Sequence, residues 1–185
     1  VTGFEFGLKV VELRRQLFVA GVFVHPDEFR VLAAGDDGIE GEFDCAGFDL
    51  RVMAAGVPGE GDLGRVQHLY HNMQQAAADV SINMRRAQQP VIAAVRGPAV
   101  GSGFAIALAA DFILTSDTAR FSYAFTRLGL VADAGALFFL KQRLGVQRAK
   151  ELAYTSRFVE AAEALALGMS FRNLPDAELD AAAAA

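Results

Sequence analysis

The chain has 185 residues, 53% of them hydrophobic and 21% charged, with a formal net charge of −5. That length suits one substantial core, and a single domain over residues 1–180 is expected, followed by a low-complexity alanine tail at 181–185. The acidic balance excludes broad nucleic-acid binding, because no basic face would gather phosphates; the lack of a long uncharged apolar run excludes a spanning helix.

Residues 8–20, LKVVELRRQLFVA, carry apolar side chains at helical spacing and predict an amphipathic helix ended by His25-Pro26-Asp27. Phe29–Ala34 predicts a short strand, with a loop rich in Gly and Asp through Gly41, and residues 43–50, FDCAGFDL, a strand end turning into a helix. Cys45 is the one cysteine, which rules out an internal disulfide and fits a reducing compartment. No leader pattern is visible at the N-terminus, so the expected location is the cytoplasm. Ala54–Gly64 reads as loop, and residues 65–87 as a long helix closed by Pro90. Val91–Val95 predicts a buried strand, Gly103–Ala110 a helix, Asp111–Thr115 and Ala119–Ala124 two strands. Asp133–Leu144 predicts a helix with Asp133 at its N-cap or first turn and Gly145 just past its end. Two further helices follow, Val146–Tyr154 and Val159–Leu167. Strands alternating with helices define the α/β class.

The segment Gly97-Pro98-Ala99-Val100-Gly101-Ser102-Gly103 joins a strand to a helix. It lacks the Lys-Ser or Lys-Thr of a phosphate loop and the third glycine of a dinucleotide fingerprint. Two readings stay open: free N–H groups at a helix start that bind an oxyanion, or a tight turn that needs glycine. Ser102 is not in a G-x-S-x-G elbow. His68 and His71, one helical turn apart, make a weak metal signal and fit a polar helix face better. Asp133, among Val131, Ala132, Ala134 and Leu137, reads either as a helix cap worth about 1 kcal/mol or as a base made stronger by burial.

Taken together, PVIAAV, the turn at 97–103, Ala110-Asp111-Phe112, Leu128-Gly129-Leu130-Val131, LGVQRAKEL and AEALALGM resemble the crotonase (enoyl-CoA hydratase/isomerase) superfamily. Cys45-Ala46-Gly47-Phe48-Asp49-Leu50 resembles that family's first oxyanion segment. The resemblance implies a crotonase-like (Clp protease/crotonase) α/β spiral of ββα units, and the C-terminal trimerisation helices of the family have no counterpart in the sequence. It implies an acyl-CoA thioester as partner, a homo-oligomer (trimer or hexamer), and no metal or redox cofactor, with coenzyme A arriving on the substrate. It also implies oxyanion donors at the N–H groups of Phe48 and Ser102, the latter beside Gly101. Cys45, Ala46 and Gly47 would meet the adenine and Arg51 a phosphate.

The departures from the family pattern select the chemistry. The two glutamates of a hydratase fall at Ala105 and Phe125, whereas Asp133 stands eight residues after the second slot, where several isomerases keep their carboxylate. The phrase from Ala124 to Asp133 looks most like the phenylacetate-pathway ring-isomerase type. The aryl-CoA dehalogenases, which use a tryptophan, are disfavoured because the chain has no Trp. The expectation is an isomerase moving a double bond from the 3- to the 2-position of an enoyl-CoA, with Asp133 as base. The alternatives are a non-catalytic binder of CoA esters, a family enzyme of other chemistry, and a serine hydrolase using Ser102.

Overall fold

The computed structural model describes residues 22–23, 29–35, 38–44, 47–48, 78–87 and 90–184. Four strands come first: β1 (Val22–Phe23), β2 (Phe29–Gly35), β3 (Gly38–Asp44) and β4 (Gly47–Phe48). Helix α1 (Ala78–Arg86) precedes β5 (Val91–Val95), β6 (Pro98–Val100) and helix α2 (Ser102–Ala109). Strands β7 (Phe112–Ser116) and β8 (Arg120–Ser122) lead through a 3-10 turn at Phe125–Leu128 into helix α3 (Ala136–Thr155). Strand β9 (Phe158–Glu160), helix α4 (Ala161–Ala166), strand β10 (Arg172–Leu174) and helix α5 (Leu179–Ala184) complete the order.

The main sheet has the order β10-β7-β5-β2-β3. Strands β10, β7 and β5 are parallel, while β2 and β3 extend the sheet antiparallel. Parallel neighbours need a crossover, and α2 lies on the one from β5 to β7. Both faces of this sheet are covered, which explains why VIAAV is apolar throughout instead of alternating. Val91, Ala93 and Val95 enter the main core with Ile113. Ala94 joins Leu114 and Leu174 on the other face, closed by Leu179 and Ala183 of α5. The alanine run therefore has a packing role over 181–184. Arg96 fastens α5, its guanidinium 3.0 and 2.9 Å from the two oxygens of Asp180 and 3.2 Å from Asp176.

Helix α2 is buried along its whole length, from Ser102 to Ala109. A helix apolar on all sides belongs in a core, and its small residues let neighbours approach closely. Its last carbonyls have no partner within the helix. Arg143 of α3 satisfies them, with Nε 3.2 Å from the Leu108 oxygen and a second nitrogen on the Ala110 oxygen. A smaller sheet, β6-β8-β9, stands beside it. There the Phe121 ring lies 5.5 Å from that of Phe104 in α2, tying sheet to helix.

Several expectations change here. The stretch 38–44, read through Gly41 as loop, is strand β3 paired with β2. Its sequence GIEGEFD alternates apolar or small residues with acids, a period of two that the glycines disguise. The helix expected at Asp133 begins at Ala136 instead. Gly145, with φ 75° and ψ 168°, does break α3 into the two segments predicted around it. Val159, placed in a helix by its spacing, is strand β9, because its pairing with Phe121 buries it. The expected helix at 8–20, the loop at 54–64 and residues His68 and His71 lie outside the described residues.

Candidate active site

The turn at 97–103 is built by β8. The Gly101 N–H donates to the Ser122 carbonyl at 3.0 Å, and the Arg120 N–H donates to the Gly97 carbonyl at 2.9 Å. Gly101 has φ +57°, a conformation that side chains rarely adopt. It sits at the N-cap of α2, and its carbonyl accepts the Ala105 N–H at 3.0 Å. Ser102 is thus the first helical residue, and first-turn N–H groups have no partner within their own helix. They carry the positive end of the helix dipole, a setting that favours an oxyanion. The tight-turn reading holds: the glycine conformation at Gly101 is what places Ser102 at the start of α2.

Strand β8 then runs into the segment that carries Asp133. Ala124 and Ala134 both have left-handed φ, 47° and 48°, each costing about 1–2 kcal/mol for a residue with a side chain. Gly135 continues the left-handed run at φ 74°. These turns direct the Asp133 carboxylate away from a capping position. Its carbonyl, not its side chain, receives the Ala136 N–H at 2.9 Å, and the N-cap of α3 is Gly135. The cap reading of Asp133 is therefore corrected.

The carboxylate instead meets α2: the Ser102 hydroxyl donates to Asp133 Oδ1 at 3.3 Å. Ser102 is buried and Asp133 half-buried. Burial pushes the Asp133 pKa up to about 6, opposed by the Ser102 hydrogen bond and by its own backbone N–H. Tyr123, buried just past β8, is a neighbour with no trace in the sequence pattern; burial raises its phenol pKa and the Asp133 charge raises it further. Its ring packs edge-on against Phe125 at 5.2 Å. Ala105 and Phe125 are both buried, so the two positions expected to lack acids do bring apolar groups to the core.

Strand β4, which holds Gly47 and Phe48, pairs with β1 and lies against α2. That brings the main chain of Phe48 to the helix whose first residue is Ser102. Cys45, Ala46 and Arg51 lie outside the described residues. The hydroxyl partner of Ser102 is a carboxylate, and all three histidines lie outside the described residues, so no Ser-His arrangement is visible among them. Those residues also hold no group of three or more metal-ligating side chains, and no helix long and apolar enough to cross a membrane.

A cavity of about 510 Å³ opens between α1 and the start of α3, walled by Ile82, Ala134, Gly135, Phe138 and Phe139 with Arg85, Arg86 and Gln142. Gly135 keeps that wall thin. A Cβ there would lie 2.7 Å from the Phe139 ring, on a backbone already at φ +74°. Gly135→Ala is expected to cost about 2 kcal/mol through strain alone, read as a lowered thermal midpoint. An unchanged midpoint would mean that the backbone at residue 135 leaves the left-handed region at no cost and that the Phe139 ring swings aside.

The enoyl-CoA hydratase/isomerase family model matches residues 36–185. The chain belongs to this family. Among curated relatives, it is 44% identical over 102 residues to the "Probable enoyl-CoA hydratase EchA12" of Mycobacterium tuberculosis, covering 55% of this chain and 36% of that protein. It is 35% identical over 132 residues to the trans-2-decenoyl-[acyl-carrier-protein] isomerase of Streptococcus mutans, covering 71% and 48%. A Thermobifida fusca structure solved with acetoacetyl-CoA superposes with a TM-score of 0.65 at 40% identity, covering 74% of this chain and 55% of that one. The chain spans about a third to a half of the length of these curated relatives. The mixed α/β architecture is thus the crotonase fold anticipated from the sequence. The names among its relatives include both hydratases and isomerases.

Proposed function

We propose that this enoyl-CoA hydratase/isomerase family member isomerises an enoyl-CoA thioester, moving a double bond from the 3- to the 2-position. One observation carries the reading: a half-buried carboxylate with a pKa of about 6 stands at the start of α2, while the two hydratase glutamate positions hold Ala105 and Phe125. Addition of water needs both a base for the water and an acid for the carbon. A 1,3 proton shift needs one group that takes a proton and gives it back.

In this mechanism the thioester oxygen sits against the N–H groups of Ser102 and Phe48. Asp133, ionised, removes a proton from C2 of the 3-enoyl group. The electrons move into the thioester to form a dienolate, whose negative oxygen the two N–H groups stabilise. Asp133 then returns the proton to C4, and the electrons collapse to the 2-enoyl product. Atoms and charge balance without any further reactant. The rest of the acyl group extends into the cavity beside Ala134 and Gly135. Coenzyme A is bound as part of the substrate, with Cys45, Ala46, Gly47 and Arg51 as its proposed contacts. The ring-isomerase likeness and a trimeric or hexameric assembly are part of the same proposal, as is a cytoplasmic location.

The test is direct. The chain is incubated with a 3-enoyl-CoA, and the conjugated 2-enoyl thioester is followed by its absorbance and by chromatography. Formation of the 2-enoyl isomer supports the reading. Hydration of a 2-enoyl-CoA with no isomerisation of the 3-enoyl compound overturns it.

A further inference from the structure

Ser102 brings two different groups to the site: its backbone N–H at the helix start, and a hydroxyl that reaches across 31 residues to Asp133 Oδ1. We infer that the Ser102 side chain is a positioning residue for the base, binding one oxygen of Asp133 so that the other is presented to substrate. The inference rests on the isomerase reading for its kinetic consequence, and on the geometry for everything else.

A carboxylate has two equivalent oxygens and rotates about its own axis unless something holds it. Among the described residues Ser102 is the one side chain that hydrogen-bonds Asp133. Ser102 is only 4% exposed, and its place at the first turn of the fully buried α2 leaves the hydroxyl little freedom. The donor is therefore fixed and the acceptor is the part that turns to meet it. With Oδ1 occupied, the remaining oxygen carries the basic lone pair.

The charges around the pair are few. Just past β8, Tyr123 feels the Asp133 charge. Among the described residues, burial, the Ser102 hydroxyl and the Asp133 N–H set the basicity of the carboxylate. The Ser102 bond is thus the principal side-chain contact favouring the ionised form against burial. It keeps the base from becoming so basic that it stays protonated at neutral pH. The arrangement also links base and oxyanion donor through one residue: a shift of the start of α2 moves both together.

The experiment compares the wild type with Ser102→Ala and Ser102→Thr, both of which keep the backbone N–H. For Ser102→Ala the rising limb of kcat against pH is expected to move up by about one pH unit, the usual consequence of losing a hydrogen bond to a charged group. At the plateau kcat is expected to fall about tenfold for a misoriented base, while KM stays within about twofold because the N–H donor is intact. Ser102→Thr, which keeps a hydroxyl, restores the limb toward its wild-type position. In parallel, carbon-13 NMR of the Asp133 carboxyl reads its pKa without any turnover. A wild type with no isomerase activity would sink the functional reading, yet the NMR comparison still decides the pair. Equal Asp133 titration in wild type and Ser102→Ala would overturn the inference in either case, as would a limb that does not move in an active enzyme.

Discussion

Asp133→Asn is expected to slow conversion of a 3-enoyl-CoA to its 2-enoyl isomer by about a hundredfold or more, the usual contribution of a positioned general base. The same substitution is expected to stabilise the folded chain at neutral pH. Burial raises the Asp133 pKa from 3.8 to about 6, so the folded state holds this proton more tightly than the unfolded one. The stability associated with the neutral carboxyl is full below about pH 4 and is lost as pH rises through about 6. Asparagine never ionises and escapes the loss. The gain at pH 7 should be about 2 kcal/mol, less than the full two-unit shift implies because the group is half-buried. It should vanish in acid. Urea melts of both proteins at pH 4 and pH 7, beside the rate assay, check both halves. A variant equally active would remove Asp133 from the chemistry; one equally stable at both pH values would mean that the folded-state carboxyl is not perturbed. For the wild type, kcat should rise with pH through about 6, since only the ionised form accepts a proton.

Phe121→Ala carries the largest expected cost in stability, about 3–5 kcal/mol for an emptied aromatic site. The side chain is fully buried in β8, in register with Ala99 on one side and Val159 on the other, with its ring against Phe104. Its neighbour Ser122 supplies the carbonyl that holds the Gly101 N–H, so a collapse of β8 onto the void would also displace the start of α2. Urea unfolding should show a lowered midpoint with an unchanged slope, and acyl-CoA should bind more weakly. A loss under about 1 kcal/mol would mean that the Phe104–Phe121 contact is not the seam joining the smaller sheet to the core.

How much of this was legible in the sequence depends on how local each signal is. The glycine turn before α2 could be read directly, because Gly101 and Gly103 bracket Ser102 within three positions and the turn chemistry is local. Gly145 announced the break in α3 for the same reason. The role of Asp133 split into cap and base, since an acid three residues before a helix fits either. The left-handed backbone at Ala134 and Gly135 removes the cap reading, and alanine gives no hint of positive φ. The Ser102–Asp133 contact depends on how two crossovers pack and has no local trace. Val159 sits at helical spacing in the sequence, and only its partner Phe121 on β8 makes it a strand residue. The alanine run carries no periodicity of its own, yet Ala183 packs with Leu179 of α5 onto Ala94 and Leu114.

The parallel order β10-β7-β5 also sets a timetable. Ser102 lies on the connection from β5 to β7, and Asp133 on the longer one from β7 to β10. Such pairs cannot zip outward from a hairpin, and the entropy of closing long loops must be met before their contacts give any return. Burial and the Ser102 hydroxyl set the basicity of the carboxylate, so it should appear only once the two connections have packed against each other. During refolding its titration should therefore be a late clock, marking the meeting of those connections and not the formation of any single strand pair.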